Sequence, residues 1–341
     1  MRTSITAAGA ALACAVALAH PAAADEIADF YKGKNVSIVV GYAAGGGADL
    51  WSRFMARHLG EFLPGKPNVI VRNMPGAGGF SAVNYVYNVG AQDGTSIILP
   101  TTSAIAAPAM GIPNVRWDTF KFHWIGNLTQ DVSGCVASGK SGVKSIRDAT
   151  SREIIFGADG TDDPASHQPR ALRNLLGYKT KIIAGYKGTG PAFMALEIGE
   201  IDARCSVWAS QAAGAKKADI ESGKLVPIMQ TGSKKHPIFG DAPMIYDLAR
   251  NEDDLKLLKF LFGPIAISRP FAAPPGVPAA RVAALRDAFW KAAHSEKLKA
   301  EGEKLKLIID PMTGEDTEAA LRASLDVPQD IVARAKQLIK P

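Results

Sequence analysis

Residues 36–59 read VSIVVGYAAGGGADLWSRFMARHL, and this stretch predicts how the fold begins. Residues 36–40 form a short, apolar and largely β-branched run, which is typical of a buried strand. A glycine-rich loop follows, and from residue 50 onward apolar side chains recur at helical spacing. Asp49 stands where its carboxylate would cap that helix and complement its dipole. The stretch therefore predicts a strand, a glycine loop and a helix, in that order.

The same unit is repeated immediately afterwards. Residues 68–71 predict a second strand, residues 75–79 a second glycine loop and residues 81–89 a second helix. A turn at 93–95 then precedes a third apolar run at 97–99. This alternation of strands and helices is typical of a parallel α/β sheet.

A second α/β unit is predicted further along the chain. Strand-like and helix-like segments alternate again between residues 153 and 229, and the 341 residues are enough for two domains. No low-complexity or Pro/Gly-rich linker separates the two halves. We therefore expect the two units to be joined by two or more crossings of the chain rather than by one linker.

The amino terminus predicts a secretory signal peptide over residues 1–24. A basic residue precedes the uncharged, mostly apolar residues 5–19, and the small residues Ala22 and Ala24 fit cleavage after Ala24. The apolar stretch is too short to span a bilayer comfortably. A lipid anchor on Cys14 is the alternative. If residues 1–24 are a cleaved signal peptide, we expect the protein to be exported to the periplasm.

The net charge and the scattered basic residues predict that the protein does not bind nucleic acid. The chain carries 39 Lys and Arg against 33 Asp and Glu, a formal net charge of +6. Removal of residues 1–24, which hold one Arg and no acidic residue, would leave +5. Nucleic-acid binders concentrate basic residues on one face, whereas here only isolated pairs occur, at 216–217 and 234–235. The modest positive charge is compatible with small anionic ligands.

The cysteines leave two interpretations open. Cys14 would leave with the signal peptide, so an exported chain would keep Cys135 and Cys205 in an oxidising compartment. They are either joined in a disulfide or separately buried as small apolar residues. Sequence does not show whether their Cα atoms come within bonding range.

The two glycine loops predict an anion site. Loops between a strand and a helix amino terminus present backbone N–H groups, and the helix dipole favours negative charge there. Neither loop has the Lys and hydroxyl of a Walker A loop, and Ser81 occupies the third glycine position of a dinucleotide fingerprint. Tight turns without a ligand are the alternative. Two such loops on successive strands favour a ligand at the edge where α/β sheets bind small molecules.

Sequence motifs for catalysis and metal binding are absent. There is no His-Glu-x-x-His, Gly-x-Ser-x-Gly or Cys-x-x-Cys, and the histidines after residue 24 are scattered without ligand spacing. Ser166 and His167 would make a nucleophile and base only with a carboxylate partner that the sequence does not supply. We therefore predict no catalytic residues, no metal site and no cofactor.

Several short motifs occur along the chain in a specific order. They are YAAGGGAD at 42–49 with Arg53, NMPGAGG at 73–79, DGT at 93–95, GYKGT at 185–189, GEID at 199–202 and PPGVP at 274–278. Together they resemble the periplasmic substrate-binding proteins of tripartite tricarboxylate transporters, also called Bug receptors. The resemblance covers most of the chain after residue 24.

That resemblance implies a fold and a function. The fold is an α/β, type II-like periplasmic-binding-protein fold of two lobes, each a mostly parallel sheet flanked by helices, with the ligand in the cleft between them. The implied boundaries are residues 25–128 for the first lobe, 129–262 for the second and 263–341 for a return to the first. The implied function is binding of a small organic carboxylate, either a dicarboxylate or an aromatic acid, by a monomer that delivers it to a membrane permease.

The resemblance also implies which residues meet the ligand. In the first lobe they are Ala44, Gly45, Gly46, Asp49, Gly78 and Gly79, and in the second lobe Thr161, Ser166, Tyr186 and Thr189. Further candidates for ligand contact, beyond what the resemblance implies, are Tyr42, Thr101 and Trp208. Asp49 either contacts the ligand or only caps its helix. Trp208 suggests a flat or aromatic ligand, with packing as the alternative. A distal carboxylate would favour an arginine, and Arg204 or Arg170 could supply it.

Two other functions remain open at this point. One is an exported α/β enzyme acting on a carboxylate or phosphate ester, which would turn its substrate over. The other is a periplasmic sensory subunit, whose gene would stand beside a sensor kinase rather than permease subunits. For the receptor we expect hinge closure, in which contacts made only in the closed form shift the population toward it.

Overall fold

The computed structural model describes residues 19–42, 44–45, 47–158, 164–186 and 189–340. The helices are α1 Ala19–Tyr31, α2 Gly47–Phe62, α3 Phe80–Asn88, α4 Thr102–Ala106, α5 Pro164–Leu176, α6 Thr189–Ile198, α7 Ala209–Ala213, α8 Lys217–Glu221, α9 Glu252–Phe262, α10 Ala279–His294, α11 Glu296–Lys304, α12 Gly314–Leu325 and α13 Gln329–Leu338. The strands are β1 Asn35–Val40, β2 Asn68–Asn73, β3 Ser96–Leu99, β4 His123–Asn127, β5 Ser133–Ser138, β6 Ile154–Ala158, β7 Thr180–Ala184, β8 Ala203–Trp208, β9 Leu225–Thr231, β10 Pro270–Ala273 and β11 Met312–Thr313. Most of the predicted signal peptide, residues 1–18, lies outside the described residues.

The first sheet has the strand order β11-β4-β10-β3-β1-β2. β1 pairs in parallel with β2 on one side and β3 on the other, as the repeated strand-loop-helix unit predicts. β10 returns from the far part of the chain and lies antiparallel between β3 and β4. The sheet is therefore mixed: β1 forms two parallel pairs, whereas β10 and β11 of the carboxyl-terminal segment form the three antiparallel pairs.

The second sheet has the order β7-β6-β8-β5-β9. β6 pairs in parallel with β7 and β8, whereas β5 lies antiparallel between β8 and β9. Both predicted sheets are confirmed, and each contains antiparallel pairing in addition to the expected parallel pairs.

Each sheet has its own apolar core on both faces. Val36, Ile38 and Val40 of β1 pack on one side of the first sheet, and Val39 packs on the other. Separate buried clusters lie on the two sides of the second sheet. Because side chains alternate across a strand, the continuous apolar run in β1 buries both of its faces.

Two segments connect the sheets and are hydrogen-bonded to each other. The first runs from β4 to β5 and the second from α9 to β10. The Leu128 N–H donates to the Arg269 carbonyl over 3.0 Å, and the Arg269 N–H donates to Asn127 Oδ1 over 2.9 Å. The Asp131 N–H donates to Ser268 Oγ over 3.1 Å. The boundaries at 128/129 and 262/263 stay predictions, although both lie within or next to these segments.

The carboxyl-terminal helix α13 connects the two cores at a third place. Ile331 and Val332 pack in the core of the first sheet. At the other end of the helix, Arg170 Nη1 and Asn174 Nδ2 of α5 donate to the carbonyls of Ile339 and Leu338 over 2.7 and 2.9 Å. These donors satisfy carbonyls that a helix end leaves without intrahelical partners.

Cys135 and Cys205 form a disulfide in the structure, with an S–S distance of 1.96 Å. They lie on the neighbouring antiparallel strands β5 and β8, and both side chains are completely buried. Among the residues that the structure describes, no helix combines the length and apolar character that crossing a bilayer requires.

Candidate functional site

Three loops meet at one edge of the first sheet. Because β1, β2 and β3 are parallel, the loops that follow them lie at the same edge, where α/β sheets bind ligands. A Cβ built on Gly41 would lie 2.6 Å from the Cα of Gly79, and one built on Gly79 would lie 2.6 Å from Thr101 Cγ2. Both positions therefore require glycine for the loops to approach so closely.

The carboxylate of Asp49 holds the first glycine loop against α2. The Gly45 N–H and Arg53 Nε each donate to Oδ2 over 2.9 Å, and Asn73 Nδ2 donates to Oδ1 over 2.9 Å. The Asp49 side chain is buried. The hydrogen bond from Arg53, helped by those from Gly45 and Asn73, lowers the pKa of Asp49 to about 2 despite the burial. Its oxygens accept three protein donors, so in the structure Asp49 fixes the loop.

Asn73, at the end of β2, extends this network to the neighbouring strand. Its Nδ2 also donates to the Tyr42 carbonyl over 3.0 Å, and its Oδ1 accepts from Arg53 Nη2 over 3.1 Å. The side chain therefore connects the loop after β1 with the end of β2. Arg53 and Asn73 belong to the motifs noted in the sequence, which did not reveal their positioning role.

The second glycine loop has a left-handed backbone over four consecutive residues. The φ angles of Gly76, Ala77, Gly78 and Gly79 are 142°, 47°, 63° and 94°. The Gly79 N–H donates to the Gly76 carbonyl over 2.9 Å and closes the turn. Gly79 is buried against the neighbouring loops, whereas Gly78 is exposed at the edge of the sheet. Of the two candidates, Gly78 is the more accessible to a ligand.

The remaining first-sheet candidates surround these loops. Ala44 and Gly45 are exposed, but the Gly45 N–H is already donated to Asp49. Thr101 is buried, and its Oγ1 accepts from the Ala104 N–H over 3.0 Å at the start of α4. The Tyr42 side chain is exposed at the same edge. Gly46 lies outside the described residues.

The second-sheet candidates lie on separate elements. Ser166 is completely buried in the first turn of α5. The Tyr186 hydroxyl donates to Glu200 Oε1 over 2.7 Å, and desolvation together with this carboxylate raises the pKa of Tyr186 to about 12. Thr189 begins α6 and Trp208 ends β8. Thr161 lies outside the described residues. Whether these residues meet a ligand stays a prediction.

Sequence reasoning missed Arg269, which lies in the second connecting segment. Its guanidinium carbon is 5.9 Å from the ring centre of Trp51 on α2 and 5.7 Å from that of Trp208. These distances are within cation–π range. Its Nη2 lies 3.9 Å from the position that a Cβ on Gly47 would occupy, at the start of α2. Arg269 therefore contacts side chains that belong to both sheets.

The arginines that the sequence suggested are placed differently. Arg170 Nη1 donates to the carbonyl of Ile339 after α13. Arg204 lies within β8, where it pairs with Val136 of β5, and it is buried. The only sequence signal for Arg269 is its position directly before Pro270, in the segment by which the chain returns from the second sheet to the first. No motif surrounds it.

Desolvation has the largest effect on the pKa of Arg269. It lowers the pKa of Arg269, while the negative charge of Asp131 acts in the opposite direction. Burial raises the pKa of Asp131, although Ser210 Oγ and the Val132 N–H donate to its oxygens over 2.8 and 2.9 Å. Arg269 is still charged at neutral pH because an arginine ordinarily titrates far above that range.

The arrangement is suited to binding an anion. It combines glycine-rich loops at parallel strand ends, the amino terminus of a 16-residue helix and a nearby guanidinium. Within the described ranges there is no group of three or more His, Cys, Asp or Glu residues able to hold a metal ion.

Comparison with known proteins identifies one family whose sequences resemble this chain. The sequence model of the family described as "Tripartite tricarboxylate transporter family receptor" matches residues 52–340. A Cupriavidus necator protein named only as a UPF0065 protein in the gbd 5′ region is 29% identical over 305 residues, covering 85% of this chain and 83% of its own length.

Solved structures are similar over nearly the whole chain. A TctC solute binding protein from Polaromonas, without ligand, has a TM-score of 0.68 at 24% identity and covers 91% of this chain and 99% of its own. MatC from Rhodopseudomonas palustris, with bound malate, has a TM-score of 0.58 at 20% identity and covers 90% and 99%. These similarities confirm the predicted two-lobed α/β fold.

Proposed function

This chain belongs to the tripartite tricarboxylate transporter receptor family, and we propose that it binds a small organic carboxylate between its two sheets and delivers it to a membrane permease. Membership of a receptor family makes it a binding protein rather than an enzyme. The proposal includes a dicarboxylate or aromatic acid as ligand, export through a signal peptide at residues 1–24, a periplasmic location and a monomeric state. It takes residues 25–128 and 263–341 as one lobe and residues 129–262 as the other.

The clamped glycine loop before α2 carries this proposal. Asp49 fixes the loop through Gly45 and Asn73, so the backbone at the start of α2 has a defined geometry before any ligand arrives. A preorganised helix amino terminus binds an anion without the cost of ordering a loop. Malate in MatC, a structure of the same fold, supports a carboxylate as that anion.

The connections between the sheets support closure around the ligand. Leu128 and Arg269 join the two connecting segments through a backbone hydrogen bond, while each sheet keeps its own apolar core. Segments of this kind absorb the backbone rotation of a hinge motion. A ligand that contacts both lobes only in the closed form would shift the population toward the form that a permease recognises.

The test is a thermal-shift screen of the chain from Asp25 onward, refolded to remove any bound molecule. The screen compares mono-, di- and tricarboxylates, aromatic acids and phosphate esters. A ligand present at one hundred times its Kd stabilises the folded state by about 2.7 kcal/mol. We expect one carboxylate class to raise the melting temperature and to be recovered chemically unchanged.

Two results would contradict the proposal. Conversion of the bound compound to a product would support the exported enzyme instead. If no carboxylate changes the melting temperature of a refolded protein whose circular dichroism spectrum is native, the proposal of carboxylate binding is rejected. Delivery is tested separately, by ligand-dependent binding of the protein to permease subunits in proteoliposomes.

A further inference from the structure

We propose that the Arg269 guanidinium is the cation that pairs with the ligand's carboxylate at the amino terminus of α2, so that the site accepts ionised acids and rejects their neutral amides. This inference rests on the proposed function and specifies the ligand chemistry of the same site. It assigns recognition of charge to a side chain, in addition to the backbone groups of the glycine loops.

Arg269 forms no ion pair with a carboxylate of the described residues. Its Nη1 donates to the Ser268 carbonyl over 2.5 Å, and its Nε is buried without a hydrogen-bond partner. In the described part of the chain no carboxylate oxygen lies within 4 Å of it, whereas Arg53 and Arg250 each have one within 3 Å. A desolvated and unpaired charge is costly, and an anionic ligand would offset that cost.

Asp131, the carboxylate whose charge acts on Arg269, already accepts hydrogen bonds from other groups. Asp131 Oδ1 accepts from the Val132 N–H and Oδ2 accepts from the Ser210 hydroxyl. Asp131 acts on Arg269 only as a charge at a distance. A carboxylate from a ligand would therefore be the first to form a direct hydrogen-bonded pair with this guanidinium.

The guanidinium of Arg269 extends toward the amino terminus of α2. Nη2 comes within 3.9 Å of the position of a Cβ on Gly47, the first residue of α2. The helix amino terminus carries a partial positive charge, as does the guanidinium. Two positive groups that converge on one place attract an anion and repel a cation.

Arg269 lies between an aromatic side chain beside the first sheet and one in the second sheet. Trp51 comes from α2 beside the first sheet, and Trp208 ends β8 in the second sheet. An indole ring within this range attracts a cation through its π face. The Trp208 ring thus has a partner in the structure, which gives it a role in orienting Arg269 for a ligand that need not be aromatic.

The experiment measures affinity for acids and for their amides by isothermal titration calorimetry at pH 7. The probes are malate, succinate, citrate and benzoate, each with its fully amidated counterpart. The variants are Arg269→Gln, Arg269→Lys and the control Arg72→Gln. Arg72 also lies over an aromatic ring, with its guanidinium carbon 5.1 Å from the centre of Tyr85, but it is on the edge strand β2.

We expect the wild type and Arg72→Gln to bind at least one acid and to discriminate against its amide. Loss of one charge-assisted pair predicts that Arg269→Gln weakens acid binding by about 10- to 100-fold and loses the preference over the amide. Arg269→Lys keeps a charge without the planar fork, so it should retain the preference while binding more weakly. Circular dichroism and a thermal melt establish that each variant is folded.

The outcomes separate this inference from the proposed function. If the wild type binds an acid and Arg269→Gln keeps the same acid-to-amide preference, Arg269 is not the anchor, although the receptor function stands. An equal weakening of acid and amide would likewise overturn it, since that result indicates a purely structural role. If the refolded wild type binds no probe, both the inference and carboxylate binding are rejected. If Arg269→Gln does not fold, Arg269→Lys decides by its affinity for the acid: unchanged affinity overturns the inference, whereas weaker binding with the acid preference retained supports it.

Discussion

At the scale of single residues, the charge of the Asp49 carboxylate determines both the stability of the fold and the geometry of the candidate site. Asp49→Asn keeps the size of the side chain but removes the charge to which Gly45, Arg53 and Asn73 donate. We expect the free energy of unfolding, measured in urea, to fall by about 2 kcal/mol. Asp287→Asn, at an exposed carboxylate paired with Lys291, is the control and should change it by less than about 0.5 kcal/mol. Equal effects of the two variants would contradict the clamp.

The pH dependence of stability gives a second test of the same carboxylate. The folded-state pKa of Asp49 is about 2, below its ordinary value of 3.8. A lowered folded-state pKa stabilises the fold above the unfolded pKa, and this stabilisation is lost as pH falls from about 4 toward 2. Over that interval the unfolding free energy of the wild type should fall more steeply than that of Asp49→Asn. Parallel profiles would show that Asp49 has an ordinary pKa in the folded protein.

Gly79 of the second glycine loop lies so close to Thr101 that a smaller residue at 101 should partly compensate for a larger one at 79. Gly79→Ala places a Cβ 2.6 Å from Thr101 Cγ2 at a φ of 94°, so we expect a loss of about 2–4 kcal/mol in unfolding free energy. Gly78→Ala has a φ of 63° and open space, and should cost about 1 kcal/mol. Thr101→Ser removes the methyl group, so the double variant with Gly79→Ala should recover part of the loss. Simple additivity in a double-mutant cycle would rule out the contact.

At the scale of elements, sequence predicts best the strands that are apolar and β-branched. β1, β2 and β3 correspond to the apolar runs at 36–40, 68–71 and 97–99, and the helices between them appear as predicted. β5 and β10 were not predicted, because SGCVAS and PFAA consist mostly of small residues without alternation. Both are strands in the structure because the neighbouring strands of each sheet pair with them. Partner strands, not local propensity, determine these two elements.

The disulfide between β5 and β8 predicts a chemical result. The chain from Asp25 onward should show no free thiol when titrated under denaturing, non-reducing conditions, because Cys135 and Cys205 are its only cysteines. Cys135→Ala/Cys205→Ala should lower the unfolding free energy by about 2–4 kcal/mol, since the bond closes a long loop of the unfolded chain. Detection of two thiols would favour the alternative of two separately buried side chains.

At the scale of the whole molecule, the sequence indicates the contiguous part of the candidate site more readily than its distant part. The glycine loops and Asp49 are contiguous in the chain, so their spacing alone indicated a strand-end site. Arg269 is more than two hundred residues away from Gly47, and only the return of the chain through the second connecting segment brings the two together. Contacts of this separation arise from topology, which no local motif encodes.

The same topology predicts how the molecule changes shape. Each sheet has its own buried clusters, although Leu175 and Leu261 pack against a cluster of each sheet. The helix α13 is joined to α5 by the hydrogen bond from Asn174 to the Leu338 carbonyl. A ligand held by Arg269 at α2 would therefore draw the lobes together by rotation about the connecting segments. We expect small-angle X-ray scattering to show a smaller radius of gyration when the wild type is saturated with the carboxylate from the screen. Arg269→Gln at the same ligand concentration should keep the ligand-free value. Saturation proved by calorimetry with unchanged scattering would mean that the cleft binds its ligand without closing, and the permease would then have to recognise the ligand itself.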